Sequence, residues 1–456
     1  MTTSRPTIPT APGAVPVLGH VVTMLRNPLQ FLGTLPEHGD LVRLRLGPVD
    51  VVVVCDPGLT QQVLRDDRTF DKGGVLDNRA RELLGDGIAT CPHSRHRKSR
   101  RLMQPSFHSS RLPEYANVMT ERVAGFTDTW CDGQDLDVLP EMMLLTAGIT
   151  METMFGAVLP AAQLRRALDD LEQLVVGIYL RTVIPGFPKL PLPINRRYNR
   201  ARAHLRQVFS EIVAVRRSEE HPGSDLLSML SSLDGENAMS DTELTDQALI
   251  FFLAGSETAA SVLAWALHVI AADRRLEERI HDEVDRIPGG RPARFEDLPN
   301  LRLVSSVVTE TLRLYPPVWI TTRTTAEDTK LGGKAVPAGT TIVYSPYIIH
   351  RRPELYEDPE LFTPDRWGTS GELPPHGEGF TAFGGGARKC IGDQFGMIEA
   401  TLALAIITAR WRLTEIQGRN VRPSLGLAFT PRDLHMRVFA RQPRSASSAG
   451  PTTRER

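Results

Sequence analysis

Cysteine is scarce in this sequence. Cys55, Cys91, Cys131 and Cys390 are scattered with no paired spacing, which argues against a disulfide framework and a zinc cage. Net charge is missing too. The 53 basic residues are balanced by 54 acidic ones, so no global field draws the chain to nucleic acid or an anionic surface. Residues 1–16 are rich in Thr and Pro and lack the apolar core of a signal peptide, so neither a leader nor a membrane anchor is expected there. The expected location is cytoplasmic. One long apolar run exists, residues 248–272, but Ser256, Glu257 and Thr258 interrupt it. A carboxylate is costly in lipid, so this run is expected to be a buried core helix.

What is present reads as a globular chain, 41% hydrophobic and 23% charged. A hairpin is expected at residues 41–54, where β-branched runs flank Gly47-Pro48. Asp56-Pro57 then opens a helix, and helical periodicity dominates to about residue 320. The run PGFPKLPLP, residues 185–193, breaks it as a loop. Ser240 and Glu243 have the spacing of a capping box, opening a helix that reaches Ala272. Strands are expected at residues 319–325, 341–344, 421–430 and 434–439. The fold class is mainly α with a minor β part. Its organisation is a flexible N-terminus (1–10), one domain (11–441) and a disordered tail (442–456).

The most informative stretch is F-G-G-G-A-R-K-C-I-G, residues 383–392, standing before an apolar-periodic helix. Glycines let a backbone approach a flat ligand closely. A cysteine at a helix N-terminus has its thiolate favoured by the free amides. A dinucleotide loop does not fit, because Lys389 stands where its third glycine would be. Glu310 and Arg313 share a helix face, and Pro364-Asp365-Arg366-Trp367 follows. Gly255 and Thr258 favour a kink or bulge midway along the long helix.

These segments together resemble the cytochromes P-450. Phe383, Gly386, Arg388, Cys390 and Gly392 fill the family's haem signature, Phe-x-x-Gly-x-Arg-x-Cys-x-Gly. The resemblance implies a triangular prism of helices around a buried haem b, with small sheets and Cys390 as axial thiolate. It implies that Glu257 and Thr258 are the acid–alcohol pair delivering protons during oxygen activation, with Gly255 leaving room for oxygen. His96, Arg100, Arg323 and, more weakly, Arg388 match haem-propionate contacts. Phe383 and Gly386 belong to the cofactor loop. Glu310, Arg313 and Arg366 match a buried network bracing that loop, and carry no catalytic role.

The same resemblance implies a haem-thiolate monooxygenase using O2. Flavin motifs and iron–sulfur cysteine sets are missing, so electrons are expected from a separate ferredoxin and an NAD(P)H-dependent ferredoxin reductase. Arg97, Lys98, Arg101 and Lys389 are the candidate docking patch for that acidic ferredoxin. Family pocket zones map onto Val75, Leu76, Ile178, Leu180, Phe251, Phe252, Ala254, Val318, Trp319, Ile320, Leu427 and Phe429. This set is apolar, which favours a hydrophobic small molecule held by shape. Three runs, PLPINRR (191–197), PVW (317–319) and YSPY (344–347), resemble bacterial terpene-oxidising members. A sesquiterpene or related terpenoid of secondary metabolism is therefore the expected substrate. A polyketide macrocycle or a fatty acid stays open, as do a peroxide-driven or isomerising enzyme and a non-catalytic haem sensor.

Overall fold

Leu41–Leu46 (β1) and Val49–Val54 (β2) pair antiparallel around Gly47-Pro48, with Leu41 opposite Val54. The computed structural model describes residues 8–442, apart from 185, 220–222, 369–378, 417, 419 and 427. Residues 8–10, expected to be flexible, are pinned to this hairpin. Ile8 is buried, the Arg43 amide donates to the Pro9 carbonyl at 2.7 Å, and Thr10 bridges Arg43. An apolar side chain beside an open strand edge is enough to order them. Of the expected tail, residues 443–456 lie outside the described residues.

The further strands are Phe70–Asp71 (β3), Asp135–Asp137 (β4), Thr321–Thr325 (β5), Thr329–Leu331 (β6), Lys334–Val336 (β7), Thr341–Tyr344 (β8), Trp411–Glu415 (β9), Arg422–Leu425 (β10), Phe429–Arg432 (β11) and His435–Ala440 (β12). Five form one sheet in the order β1-β2-β8-β5-β3, in which only β2 and β8 are parallel. Residues 421–430, expected as one strand, divide into the hairpin β10–β11. β12 joins β4 and β9, which period-2 patterning did not reveal. β4 has only three residues, too few to show alternation.

The main helices are Pro57–Arg65 (α1), Gly74–Leu84 (α2), His93–Met103 (α3), Leu112–Thr127 (α4), Val138–Phe155 (α5), Ala161–Val183 (α6), Pro193–Ser218 (α7), Asp241–Ala272 (α8), Arg302–Leu314 (α9) and Asp393–Arg410 (α10). At the start of α1 the Asp56 carboxylate caps Leu59 at 2.7 Å. The expected capping box of α8 is present: the Ser240 hydroxyl accepts from the Glu243 amide, and the Glu243 carboxylate accepts from the Ser240 amide. At 32 residues, α8 is about 48 Å long. It is apolar on almost every side, as a helix surrounded by protein must be. α8 is helical without a break through Gly255, and the Thr258 hydroxyl bonds the Ala254 carbonyl one turn back. α4, α5, α8, α9 and α10 share one apolar core, and the five-stranded sheet has cores of its own. One described helix is long and apolar enough to cross a membrane. It is α8, and most of its apolar window is buried inside the protein.

Candidate active site

Between α8, α9, α10 and the β5–β8 edge lies a cavity whose walls come from five distant parts of the chain. Thr258, Ala259 and Val262 of α8 face Val308 and Leu312 of α9, Gly396 and Ala400 of α10, and Val318. Thr381, Ala382, Phe383, Gly384, Arg388 and Cys390 close one side, while Lys72, Thr321, Arg323 and Tyr344 form another. Of the expected site residues, the fold thus brings Thr258, Arg323, Phe383, Arg388, Cys390 and Val318 together.

The cysteine loop is held at both ends. The Cys390 amide donates to the Phe383 carbonyl at 2.9 Å. Gly386 has φ +63°, and a Cβ there would lie 2.2 Å from the Leu64 carbonyl oxygen. Only glycine lets the loop sit on the end of α1. Cys390 is open toward the cavity but densely surrounded elsewhere, and that burial pushes its thiol up to about 11. The Gly392 amide, Arg100 and Lys389 act the other way and are outweighed. The helix end lowers the Cys390 thiol as expected, but burial outweighs it. A bound metal ionises it, because a coordinating thiol is deprotonated outright.

The loop is braced from α9. Glu310 and Arg313 are fully buried and doubly hydrogen-bonded, Nε and Nη2 each 2.8 Å from a carboxylate oxygen. Glu310 also accepts from the Thr363 amide, Arg366 and the Trp367 indole, at 2.9, 3.1 and 3.0 Å. Arg313 spends its other protons on the carbonyls of His350, Pro359 and Leu361. His350 extends the network: its Nδ1 meets the Arg313 carbonyl and its Nε2 the Thr381 amide, both at 2.9 Å. A carbonyl only accepts and an amide only donates, so the proton sits on Nδ1. Thr381 opens the loop that ends at Cys390.

Cations crowd the β5 side. Arg323 is 2% exposed, and its Nε has no partner. Arg388, named as a propionate contact, is already engaged: it donates to Asp71 at 2.8 Å and to the Cys91 carbonyl at 2.9 Å, leaving Nε without a hydrogen bond. Lys72 was not foreseen. Burial, with Arg323 and Arg388 nearby, lowers it to about 8 against the opposing pull of Asp77 at 3.4 Å. Its place follows from β3 pairing with β5, which no local pattern announces. His96 and Arg100 stand outside the cavity, lining a surface depression with Arg97, Arg101, Gly386 and Lys389. His96 is buried with Nδ1 unpartnered, and burial, then Arg388 and Arg100, lowers it to about 4.

Two residues of α8 are not where expected. Gly255 is absent from the cavity wall, and a Cβ on it would fall 2.4 Å from the Thr150 hydroxyl oxygen, so its smallness serves α5–α8 packing. Glu257 is also absent from that wall. Its carboxylate accepts from the Ala428 amide, and burial raises it to about 7, with Glu172 adding to the rise. Because the folded value exceeds the unfolded 4.5, stability is lost as pH rises from about 4.5 through 7. Glu257→Gln is therefore expected to stabilise the protein by up to about 3 kcal/mol above pH 7 and by almost nothing below pH 4.5. Urea unfolding of both proteins across that range checks it, and a pH-independent difference would refute the assignment.

Most of the expected substrate-pocket residues are core. Ile178, Phe251 and Phe252 belong to the main helical core, Phe251 stacking on Phe107 at 5.6 Å. Trp319, Ile320 and Phe429 pack in the sheet core instead, and the Trp319 indole donates to the Gly426 carbonyl at 3.2 Å. Neighbours part here: Val318 lines the cavity and Trp319 packs into the sheet core. Leu76 and Leu180 are half-buried, and Ala254 is exposed. Leu427 lies outside the described residues, as does the side chain of Val75.

The family model for Cytochrome P450 matches residues 9–436. The chain belongs to that family. Pentalenene oxygenase of Streptomyces avermitilis is 40% identical to this cytochrome P450 over 95% of the chain and 98% of that protein. Two proteins of Streptomyces melanosporofaciens, cyclooctatin synthase and cyclooctat-9-en-7-ol 5-monooxygenase, are each 42% identical, over 93% and 90% of the chain and 94% and 91% of their own lengths. This P450 is accordingly a haem-thiolate monooxygenase that requires redox partners. The residues fit the group. Cys390 and Thr258 both line the cavity, and a carboxylate-bearing cofactor would meet Lys72 and the buried Arg323, whose Nε has no partner, with Arg388, already paired to Asp71 and Asp67, beside them.

Proposed function

We propose that this P450 oxidises a terpenoid hydrocarbon or alcohol in secondary metabolism, taking electrons from a ferredoxin in the cytoplasm. The observation that carries the substrate class is the set of relatives at 40–42% identity, whose names give pentalenene, cyclooctatin and cyclooctat-9-en-7-ol. The cavity supports it, because Ala259, Val262, Val308, Leu312 and Val318 offer shape without hydrogen bonds. Oxygen activation and C–H oxidation are the chemistry a bound haem-thiolate supplies.

The chain positions and protects. Cys390 would hold the iron, Lys72 and Arg323 would neutralise the cofactor's carboxylates, and the apolar wall would exclude water. Thr258 holds the proton at the reacting side: its hydroxyl donates to the Ala254 carbonyl at 2.5 Å and borders the cavity. Proton delivery is assigned to Thr258, since Glu257 faces Ala428. Thr258→Ala is expected to keep consuming NAD(P)H while product per reducing equivalent falls by about tenfold or more. Unchanged coupling would remove that role and favour a peroxide-driven enzyme. Arg97 and Arg101 are exposed, whereas Lys98 is tied to the Glu236 carbonyl and Lys389 to Asp393. The two arginines are therefore the assigned ferredoxin contacts.

The substrate class is tested by titrating the purified haem protein with sesquiterpenes and diterpenes, with a macrolactone and a fatty acid alongside. A low- to high-spin shift of the Soret band with terpenes alone is the expected result. A shift with only the macrolactone or the fatty acid would overturn the terpenoid reading.

A further inference from the structure

The backbone that carries Lys72 is clamped on both sides. Asp71 pairs with Thr324 where β3 meets β5. One oxygen of its carboxylate accepts from the Lys72 and His93 amides, at 2.6 and 2.8 Å, and from Arg388 at 2.8 Å. On the other side the Gly73 carbonyl accepts from the Thr322 hydroxyl at 2.8 Å. A Cβ on Gly73 would fall 2.5 Å from the Thr324 hydroxyl oxygen, and Gly74 follows at φ +85°. Only glycines pass between the sheet and the start of α2. The stem of Lys72 therefore leaves from a fixed point.

Its tip is aimed by Asp77. The Lys72 ammonium lies 3.4 Å from one Asp77 oxygen, its sole side-chain partner among the described residues. Asp77 is 6% exposed and sits in the first turn of α2, where free amides favour a carboxylate. Its other oxygen is 3.4 Å from the Thr322 hydroxyl, whose single proton goes to Gly73 at the shorter distance. Lys72 is thus the counter-charge of a buried carboxylate. At the cavity wall it also meets Arg323 from β5 and Arg388 from the cysteine loop, and both repel it. Tyr344 of β8 and His96 of α3 complete the titratable groups around it. Asp71 is already engaged by Arg388 and two amides, so Asp77 is the carboxylate left to oppose that repulsion.

We propose that Asp77 is a positioning residue, holding the charged Lys72 ammonium at the cavity wall where it would meet the haem carboxylates. Asp77 does not itself border the cavity. It takes one of three ammonium protons and leaves two for the cofactor. Without it the repulsion from Arg323 and Arg388 is unopposed, so Lys72 sheds its proton or swings away, and haem is held less tightly. A direct effect of the Asp77 charge has the opposite sign, since deleting a negative charge near an anionic cofactor tightens its binding. The proposal rests on the reading of Lys72 as a partner of the haem carboxylates, and not on the terpenoid substrate.

Transfer of haem from the full-length protein to an apoglobin acceptor, followed against pH, tests it. Release from the parent should quicken where Lys72 loses its proton. That break is expected above about 8, because the carboxylates of a bound haem raise Lys72 further. Asp77→Asn keeps the size of the side chain. It should release haem about tenfold faster, with the break moved to lower pH. Asp77→Glu, which keeps the charge, should return the break toward its parental position. The pair Lys72→Met with Asp77→Asn removes both charges without stranding a buried carboxylate, and should release haem fast with no break. Tighter haem in Asp77→Asn overturns the proposal, as does an unmoved break. Faster release with the same pH profile would leave Asp77 a structural residue of α2 and equally overturn it. A double variant that holds haem like the parent would remove Lys72 from the carboxylates, and both readings fall. Fast release from the double variant beside an unchanged Asp77→Asn would overturn the role of Asp77 alone.

Discussion

Cys390→Ser is expected to give a folded protein with no detectable monooxygenase turnover. The reduced carbon monoxide complex should lose the absorption position of a thiolate-ligated haem. The side chain is close in size to cysteine, and the Cys390 amide bond to Phe383 does not involve the sulfur, so the loop should keep its path. What changes is the donor. A serine oxygen does not replace the electron donation by which a thiolate favours O–O cleavage. Burial that already raises the Cys390 thiol opposes ionisation of a serine hydroxyl even more strongly. Retention of the thiolate spectrum would mean that another cysteine ligates the iron. The alternatives are poor: Cys55 and Cys91 are buried, and none of the other three borders the cavity.

Glu310→Ala is expected to cost about 3–5 kcal/mol of unfolding free energy, a large share of the 5–15 kcal/mol typical of a domain. Its removal leaves the Arg313 guanidinium as an uncompensated buried charge. The Thr363 amide and the Trp367 indole lose their acceptor as well. The damage should reach the cofactor, because Arg313, His350 and Thr381 connect this pair to the cysteine loop. Faster haem loss is therefore expected alongside the drop in stability. Denaturant unfolding and transfer of haem to an apoglobin acceptor measure the two effects. A cost below about 1 kcal/mol, the range of surface pairs, would show that the network does not carry the load assigned to it.

The residues of the haem loop and its brace were legible because each lies in a short run whose chemistry is local. Cys390 stands in a glycine-rich turn before a helix, Glu310 and Arg313 lie one turn apart, and Ser240 with Glu243 makes a cap. The long helix was legible too, since 25 residues of nearly continuous apolar sequence interrupted by a carboxylate suit no other setting. The substrate side was not. Phe251, Phe252 and Trp319 have the composition of a pocket, and composition does not distinguish a wall from a core.

By itself, then, the sequence pointed to the helical class through its periodicity and to the family through its motifs, and the resemblance in turn implied Cys390 as the iron ligand and Glu310 with Arg313 as a buried pair. Tertiary structure alone decided what faces what. Lys72 reaches the cavity because β3 pairs with β5, and Gly255 is spent on Thr150 because α5 crosses there. Glu257 turns to Ala428 because the β10–β11 hairpin folds back onto α8. The physical reason is common to all three. A side chain's direction follows from its own backbone, but its neighbour arrives from a segment that is distant in sequence, placed by how whole helices and sheets pack.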